Sequence, residues 1–98
     1  MRLDFNGRIA VVSGGASGLG RAAAARLAQD SARVVVLDRD ETALARTAEE
    51  IGAIPIVLDV TNRTAAAAAV ARIEAEHGPI AVLVTAAGVL DPPRPPER

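Results

Sequence analysis

The chain has 98 residues, half of them hydrophobic, which suits one small domain with a core and is too short to favour two domains. Its 11 basic and 12 acidic residues are scattered and leave a net charge of −1, which argues against nucleic acid or an anionic membrane surface as a partner. Cysteine is absent, which excludes disulfides and thiolate metal sites, and His77 lacks the grouping of a zinc site, so we expect no metal.

Apolar, β-branched runs alternate with longer segments whose apolar residues recur at helical spacing. This is the pattern of βα units that build a parallel sheet. The first run, Ile9–Ser13, is apolar up to its last residue, as expected of a strand that is covered on both faces. The spacing of Leu19, Ala23 and Leu27 predicts a helix over Gly18–Gln29 with these three side chains against the sheet.

The middle of the chain repeats this alternation with recognisable boundary residues. Arg33–Asp38 is predicted to be the second strand. Asp40 is placed to cap the start of the second helix, and Gly52 is placed to end it. Ile54–Leu58 is the predicted third strand, and Pro55 within it cannot donate a ladder hydrogen bond, which favours a position at the sheet edge.

The last third of the chain contains one more helix and one more strand. Thr61 or Asn62 can cap an alanine-rich third helix, which Gly78-Pro79 ends, and the run 80–84 is the fourth strand. Four prolines in residues 91–98 prevent a helix or a ladder, so this segment is predicted to be a loop or a disordered tail.

Right-handed crossovers between these strands predict a three-layer α/β fold with a doubly wound parallel sheet in the order 3-2-1-4. We expect residues 1–90 to form this domain, with the sheet truncated after its fourth strand. No apolar stretch approaches membrane-spanning length, and residues 1–7 lack the apolar run of a signal peptide. A cytoplasmic protein with no membrane partner is therefore expected.

The loop after the first strand, Ser13–Gly20, carries spaced glycines and leads directly into the first helix. Glycines allow the backbone to approach a pyrophosphate closely, and the N–H groups at a helix start favour negative charge. The loop therefore predicts a dinucleotide site, the alternative being a glycine-rich turn without a ligand. A P-loop is disfavoured because Gly20 is followed by Arg21-Ala22 rather than by Lys and Ser or Thr.

At these positions the chain resembles the short-chain dehydrogenase/reductase family, whose members have a Rossmann-type fold. Three glycines match the family's TGxxxGxG loop, with Ser13 keeping the hydroxyl group of the usual threonine. The extended subclass spaces its glycines as GxxGxxG, and Ser17 and Leu19 at the intervening positions do not fit that spacing. The resemblance implies that the loop binds the cofactor through Gly14, Ser17, Gly18, Leu19 and Gly20.

Asp38 ends the second strand about twenty residues beyond the glycine loop, where a carboxylate can accept hydrogen bonds from the adenosine ribose hydroxyl groups. A carboxylate at this position would repel a 2′-phosphate, which favours NAD over NADP. Arg39 is the opposing signal, because a guanidinium at this turn could accommodate that phosphate; the alternative for Arg39 is an ordinary solvated turn residue.

Two further motifs agree with the family. Asp59-Val60 resembles its Asp-Val or Asp-Leu pair, which contacts the adenine, although Asp59 could instead cap the following helix. Thr85 begins a segment that stands where the family has Asn-Asn-Ala-Gly, and both asparagines are replaced here. The resemblance implies close backbone approach to the cofactor ribose at Ala86, Ala87 and Gly88.

The resemblance spans Phe5 to Gly88 and implies an oxidoreductase that interconverts an alcohol and a ketone using NAD, with NADP less favoured. In the family a Tyr and a Lys four residues apart handle the proton of the substrate oxygen. This chain contains neither residue type, so we assign no catalytic residue and expect the 98 residues alone to be inactive. The alternative is a non-catalytic module that binds or senses NAD. The full-length form is expected to be a homo-oligomer.

Overall fold

The computed structural model of the chain describes residues 6–16 and 18–85. Strands and helices alternate strictly along these residues. The strands are β1 (Ile9–Ser13), β2 (Arg33–Asp38), β3 (Ile54–Val57) and β4 (Ile80–Thr85). The helices are α1 (Gly18–Gln29), α2 (Glu41–Ile51) and α3 (Arg63–His77).

The four strands form one parallel sheet in the order β3-β2-β1-β4, which confirms the predicted strand order. Helices cover the sheet on both faces. On one face the buried cluster includes Ala24 of α1 with Leu44 and Ala48 of α2. On the other face Ile73 of α3 packs against Ile9 and its neighbours in the sheet. The predicted three-layer, Rossmann-like α/β architecture is therefore confirmed.

The two central strands form the middle of the core. All five residues of β1 are buried, and so are the four apolar residues that run through β2. Because side chains alternate between the faces of a strand, an unbroken apolar run is stable only where both faces are covered. Each fully buried valine contributes about 1.5–3 kcal/mol relative to an exposed one. Most of the buried hydrophobic residues therefore lie in these two strands.

The buried face of α1 differs from the predicted one. Leu19 was expected to pack on the sheet but is 81% exposed, whereas Gly20 and Ala24 are buried and Leu27 is half-buried. One residue corresponds to about 100° of helix rotation, so the face moves away from Leu19 when it centres on Gly20. The prediction was wrong because hydrophobic spacing favours large side chains, whereas two small residues let α1 lie close to the sheet.

The helix caps follow the predicted signals closely. The Asp40 side chain accepts a hydrogen bond from the Ala43 N–H at 3.1 Å and so caps the start of α2. Gly52 ends α2 in the left-handed conformation, with a φ of 74°, where only glycine is free of strain. Of the two candidate caps for α3, Asn62 is the one used, and Thr61 bonds to a strand-end carboxylate instead.

Helix α3 is rich in alanine and is the longest described helix, at 15 residues. It is held on the sheet by buried Ala69 and Ile73, while Ala66 and Val70, which were expected on the same face, are half-buried. In the described part of the chain, no helix combines the length and the apolar character that crossing a bilayer requires.

The two outer strands are less well covered. β3 lies at one edge and contains Pro55, as predicted, and it ends at Val57 rather than Leu58. β4 lies at the other edge of the described sheet and alternates between half-buried and exposed residues. Leu83 pairs in register with Val11, so it lies on the same face as α3, yet it is 59% exposed. An apolar edge strand of this kind favours pairing with another chain.

We expect Leu83→Thr to reduce self-association of the 98-residue chain. Threonine keeps the β-propensity of the position but removes most of the apolar surface of the side chain. A loss of about 1–2 kcal/mol of association free energy corresponds to about tenfold weaker association. Concentration-dependent light scattering measures the effect, and far-UV circular dichroism should be unchanged. Leu19→Thr is the matched control on an exposed helix residue. Equal effects of both substitutions would show that β4 is not the associating surface.

Candidate cofactor site

The candidate site lies at the carboxyl ends of the parallel strands, where open α/β sheets bind their ligands. The loops after β1, β2 and β3 meet there around a cleft of about 300 Å³. The fold thus brings together three of the predicted motifs, which are far apart in the sequence. The residues lining the cleft are Gly14, Asp38, Arg39, Leu58, Asp59, Val60 and Thr61.

The glycine loop is attached to the end of β2. The Gly14 N–H donates to the Leu37 carbonyl at 2.7 Å, and the Gly15 N–H donates to the same oxygen at 3.2 Å. Gly14 and Gly18 have φ angles of 75° and 56°. These left-handed conformations are strained for residues with a side chain, so the two glycines are required by the path of the loop.

Gly15 is needed for a different reason, which the sequence analysis missed. A Cβ atom at this position would lie 2.8 Å from both Cβ and Cγ1 of Val36 in β2. Val36 is completely buried in the core, so its side chain has little room to move. The adjacent pair Gly14-Gly15 was the available signal, but close packing on another strand cannot be read from local spacing.

Helix α1 begins at Gly18, directly after the loop, and has no acidic residue in its first turn. The first N–H groups of a helix have no partners within the helix and carry a partial positive charge. Gly20 is buried against the sheet, whereas the Leu19 side chain points to solvent at this end of the helix. The start of α1 can therefore accept an anionic group beside the loop.

Asp38 is half-buried and connects three segments of the site. Its Oδ2 accepts a hydrogen bond from the Ala16 N–H of the glycine loop at 3.1 Å. Its Oδ1 accepts from the Asp40 N–H at 3.0 Å, at the start of α2. Its backbone carbonyl accepts from the Leu58 N–H at 2.9 Å, at the end of β3. The carboxylate is therefore held in one orientation at the wall of the cleft.

Asp59 lies across the cleft and is bonded to Thr61. Its Oδ1 accepts from the Thr61 hydroxyl group at 2.6 Å and from the Thr61 N–H at 2.9 Å. These two hydrogen bonds, with a smaller contribution from the charge of Arg39, lower the pKa of Asp59, and they outweigh the opposing effect of burial. The alternative that Asp59 caps α3 is wrong, because Asn62 provides that cap.

The other predicted site residues are placed as follows. Arg39 is exposed and lines the cleft beside the two carboxylates, and half-buried Val60 packs against the apolar cluster under α3. Ser17, Ala86, Ala87 and Gly88 lie outside the described residues, as does the proline-rich segment 91–98. Within residues 6–16 and 18–85, no three His or carboxylate side chains are grouped to bind a metal ion.

Comparisons with known proteins identify the family of the chain. The family model described as short chain dehydrogenase matches residues 8–97. The 2-dehydro-3-deoxy-L-rhamnonate dehydrogenase (NAD(+)) of Sphingomonas sp. (strain SKA58) is 42% identical over 86 residues, which cover 87% of this chain and 34% of that protein. A short chain dehydrogenase from Bacillus anthracis superposes with a TM-score of 0.79 at 27% identity, covering 85% of this chain and 35% of that structure.

A third relative carries a different name. The crystal structure described as ribose-5-phosphate isomerase from Brucella melitensis 16M is 44% identical, with a TM-score of 0.83, and the match covers 88% of this chain and 33% of that chain. Because the family model matches most of its length, the chain belongs to the short chain dehydrogenase family. It spans about a third of the length of these relatives.

We expect Gly15→Ala to destabilise the chain by about 1–3 kcal/mol, because the added methyl group overlaps the buried Val36 side chain. Val36→Ala should be destabilising alone but should partly rescue Gly15→Ala, because it removes Cγ1, one of the two overlapping atoms, while Cβ remains. Urea denaturation of both single variants and the double variant measures this coupling. Strictly additive losses would mean that the overlap with Val36 Cγ1 does not cause the destabilisation.

We expect Thr61→Val to raise the pKa of Asp59 toward the ordinary aspartate value, because the hydroxyl donor is lost while the backbone donor remains. A carboxylate whose pKa is lowered by folding stabilises the fold above about pH 4, and that contribution disappears as the pH falls through the lowered pKa. Titration of the Asp59 carboxyl carbon by NMR measures the shift. Thr64→Val, on α3, is the matched control and should leave the pKa of Asp59 unchanged.

Proposed function

We propose that this chain forms the cofactor-binding part of an NAD-dependent oxidoreductase that interconverts an alcohol and a ketone. The observation that carries the proposal is the position of the Asp38 carboxylate, which lies in the same cleft as a glycine loop that leads into a helix N-terminus. A dinucleotide needs a site for its diphosphate and a carboxylate for its adenosine sugar, and the two are adjacent here.

The diphosphate would lie against the glycine loop and the first turn of α1. Gly14 and Gly18 follow a path that side chains would strain, and Gly15 has no room for a Cβ, so the backbone can come close to a ligand. The first turn of α1 adds unpaired N–H donors and contains no acidic residue to repel a phosphate. By family resemblance, Ser17 and Leu19 would also contact the cofactor.

The adenosine would occupy the cleft between the ends of β2 and β3. Asp38 would accept hydrogen bonds from the ribose hydroxyl groups, because each carboxylate oxygen can accept more than the one bond that it receives now. Leu58 and Val60 supply apolar surface to the cleft, and Asp59 would accept a bond from the adenine amino group. Ala86, Ala87 and Gly88 would continue the site toward the nicotinamide end.

The charges around the cleft favour NAD over NADP. Two carboxylates, Asp38 and Asp59, line the cleft with one guanidinium, Arg39. The charge of Arg39 already acts on Asp59, where it contributes to the lowered pKa. A 2′-phosphate would therefore enter a region with a net negative charge and would lie against Asp38, which costs free energy that NAD avoids.

The type of reaction comes from the relatives rather than from residues of this chain. In the reaction that we propose, hydride leaves the alcohol carbon for the bound nicotinamide and the hydroxyl proton is lost, which leaves a ketone. The Sphingomonas relative is named as an NAD(+) dehydrogenase. The Brucella structure carries the name of an isomerase, so likeness in fold alone does not determine chemistry. We assign no catalytic residue, because the chain lacks both Tyr and Lys.

We expect NAD to bind the chain about tenfold more tightly than NADP, a difference of about 1.4 kcal/mol. Arg39→Ala should weaken NADP binding further and should change NAD binding little, because only the 2′-phosphate would contact the guanidinium. Isothermal titration calorimetry with both dinucleotides measures these affinities.

The same preparations should be assayed for hydride transfer, which we expect to be absent in the 98 residues alone. A non-catalytic module that binds or senses NAD would give the same binding result. Only a measurement of turnover in the full-length form distinguishes such a module from the proposed oxidoreductase. Absence of affinity for both dinucleotides in folded material overturns the proposal. Tighter binding of NADP overturns the cofactor preference alone.

A further inference from the structure

We propose that Asp38 is also a positioning residue for the glycine loop. The carboxylate that would bind the sugar of the dinucleotide would then also hold in place the backbone that binds its diphosphate. The part of this inference that concerns ligand binding rests on the proposed function. The part that concerns the loop itself stands on the hydrogen bonds of the structure.

Three consecutive N–H groups of the loop point to the end of β2. Those of Gly14 and Gly15 share one acceptor, the Leu37 carbonyl. The third, from Ala16, reaches past that carbonyl to Oδ2 of Asp38 at 3.1 Å. A carbonyl oxygen has two lone pairs, so the Leu37 oxygen is fully used by the first two donors. The Asp38 side chain, next to Leu37 along β2, therefore supplies the acceptor for the third N–H group.

The second carboxylate oxygen fixes the orientation of the first. Oδ1 accepts from the Asp40 N–H at 3.0 Å, and Asp40 itself caps α2. The Asp38 side chain is thus bonded at both oxygens to backbone groups of two different segments. Hydrogen bonds to an ionised acceptor are stronger than neutral ones, so the carboxylate holds Ala16 better than an amide would.

Replacement of Asp38 should affect the binding of NAD and NADP in two ways. Replacing Asp38 by a small neutral residue removes the repulsion of a 2′-phosphate, but it also removes the acceptor for the Ala16 N–H. We therefore expect such a variant to lose affinity for NAD without a matching gain for NADP. If Asp38 only bound the ribose, replacing it would instead change the preference from NAD to NADP.

The first test is amide hydrogen exchange of the ligand-free chain by NMR. In Asp38→Ala the Ala16 and Asp40 amides should exchange about tenfold faster, whereas the core amides of Val11 and Val35 should be unchanged and so report that the fold is intact. Asp38→Asn retains one acceptor oxygen and should release only one of the two amides. Asp59→Asn is the matched control, because the described hydrogen bonds of Asp59 go to Thr61 and Asn62. Unchanged exchange at Ala16 overturns the proposal.

The second test separates the loop role from ribose binding. Affinities of the parent chain and of Asp38→Ala are measured for NAD and for an NAD analogue whose adenosine ribose lacks both hydroxyl groups. If Asp38 positions the loop, Asp38→Ala should also weaken binding of the analogue by about tenfold, because the diphosphate of the analogue still binds to the loop. A loss of affinity for NAD alone, with the affinity for the analogue unchanged, overturns the positioning role. If neither ligand binds the parent chain, the proposed function fails, and the exchange measurement alone decides the role of Asp38.

Discussion

The site depends on the attachment of one short loop to one strand end. The backbone of β2 provides the acceptor for Gly14 and Gly15 and, through Val36, the surface against which Gly15 lies. This attachment determines where α1 begins and where the first N–H groups of the helix point. It also places the loop beside Asp38, whose carboxylate accepts the next N–H. Because Val36 and Leu37 are both buried in the core, the contacts that they make with the loop hold it in a fixed position.

The charged side chains of the cleft come from two strand ends: Asp38 and Arg39 from the end of β2, and Asp59 from the segment after β3. Asp38 is held by backbone donors of the loop and of α2, and Asp59 is held by Thr61, so each carboxylate keeps its orientation without the other. Arg39 also lines the cleft, and its positive charge contributes to the lowered pKa of Asp59. The cleft wall is therefore net negative beside the positive start of α1, and this difference in charge is what the proposed NAD site would use.

The helices cover the central strands of the sheet better than its outer strands. This uneven coverage is consistent with the chain spanning about a third of the length of its relatives. β1 and β2 are buried on both faces, whereas β4 alternates between half-buried and exposed residues and leaves Leu83 open. The residues that line the cleft follow the two well-covered strands and the edge strand β3. The relatives are about three times as long, so further segments of those proteins are available to cover the corresponding face.

Local sequence determined the order and type of every described element, because apolar periodicity, caps and glycines act over a few residues: Asp40, Gly52 and the edge position of Pro55 were all predicted. The three strand-end motifs were also identified from the sequence. Tertiary structure decided which residue of α1 faces the sheet, why Gly15 must be glycine, which residue caps α3, and that Thr61 holds Asp59. These features arise from distances between segments far apart in the chain or from competition between neighbouring polar groups, and no local pattern encodes them.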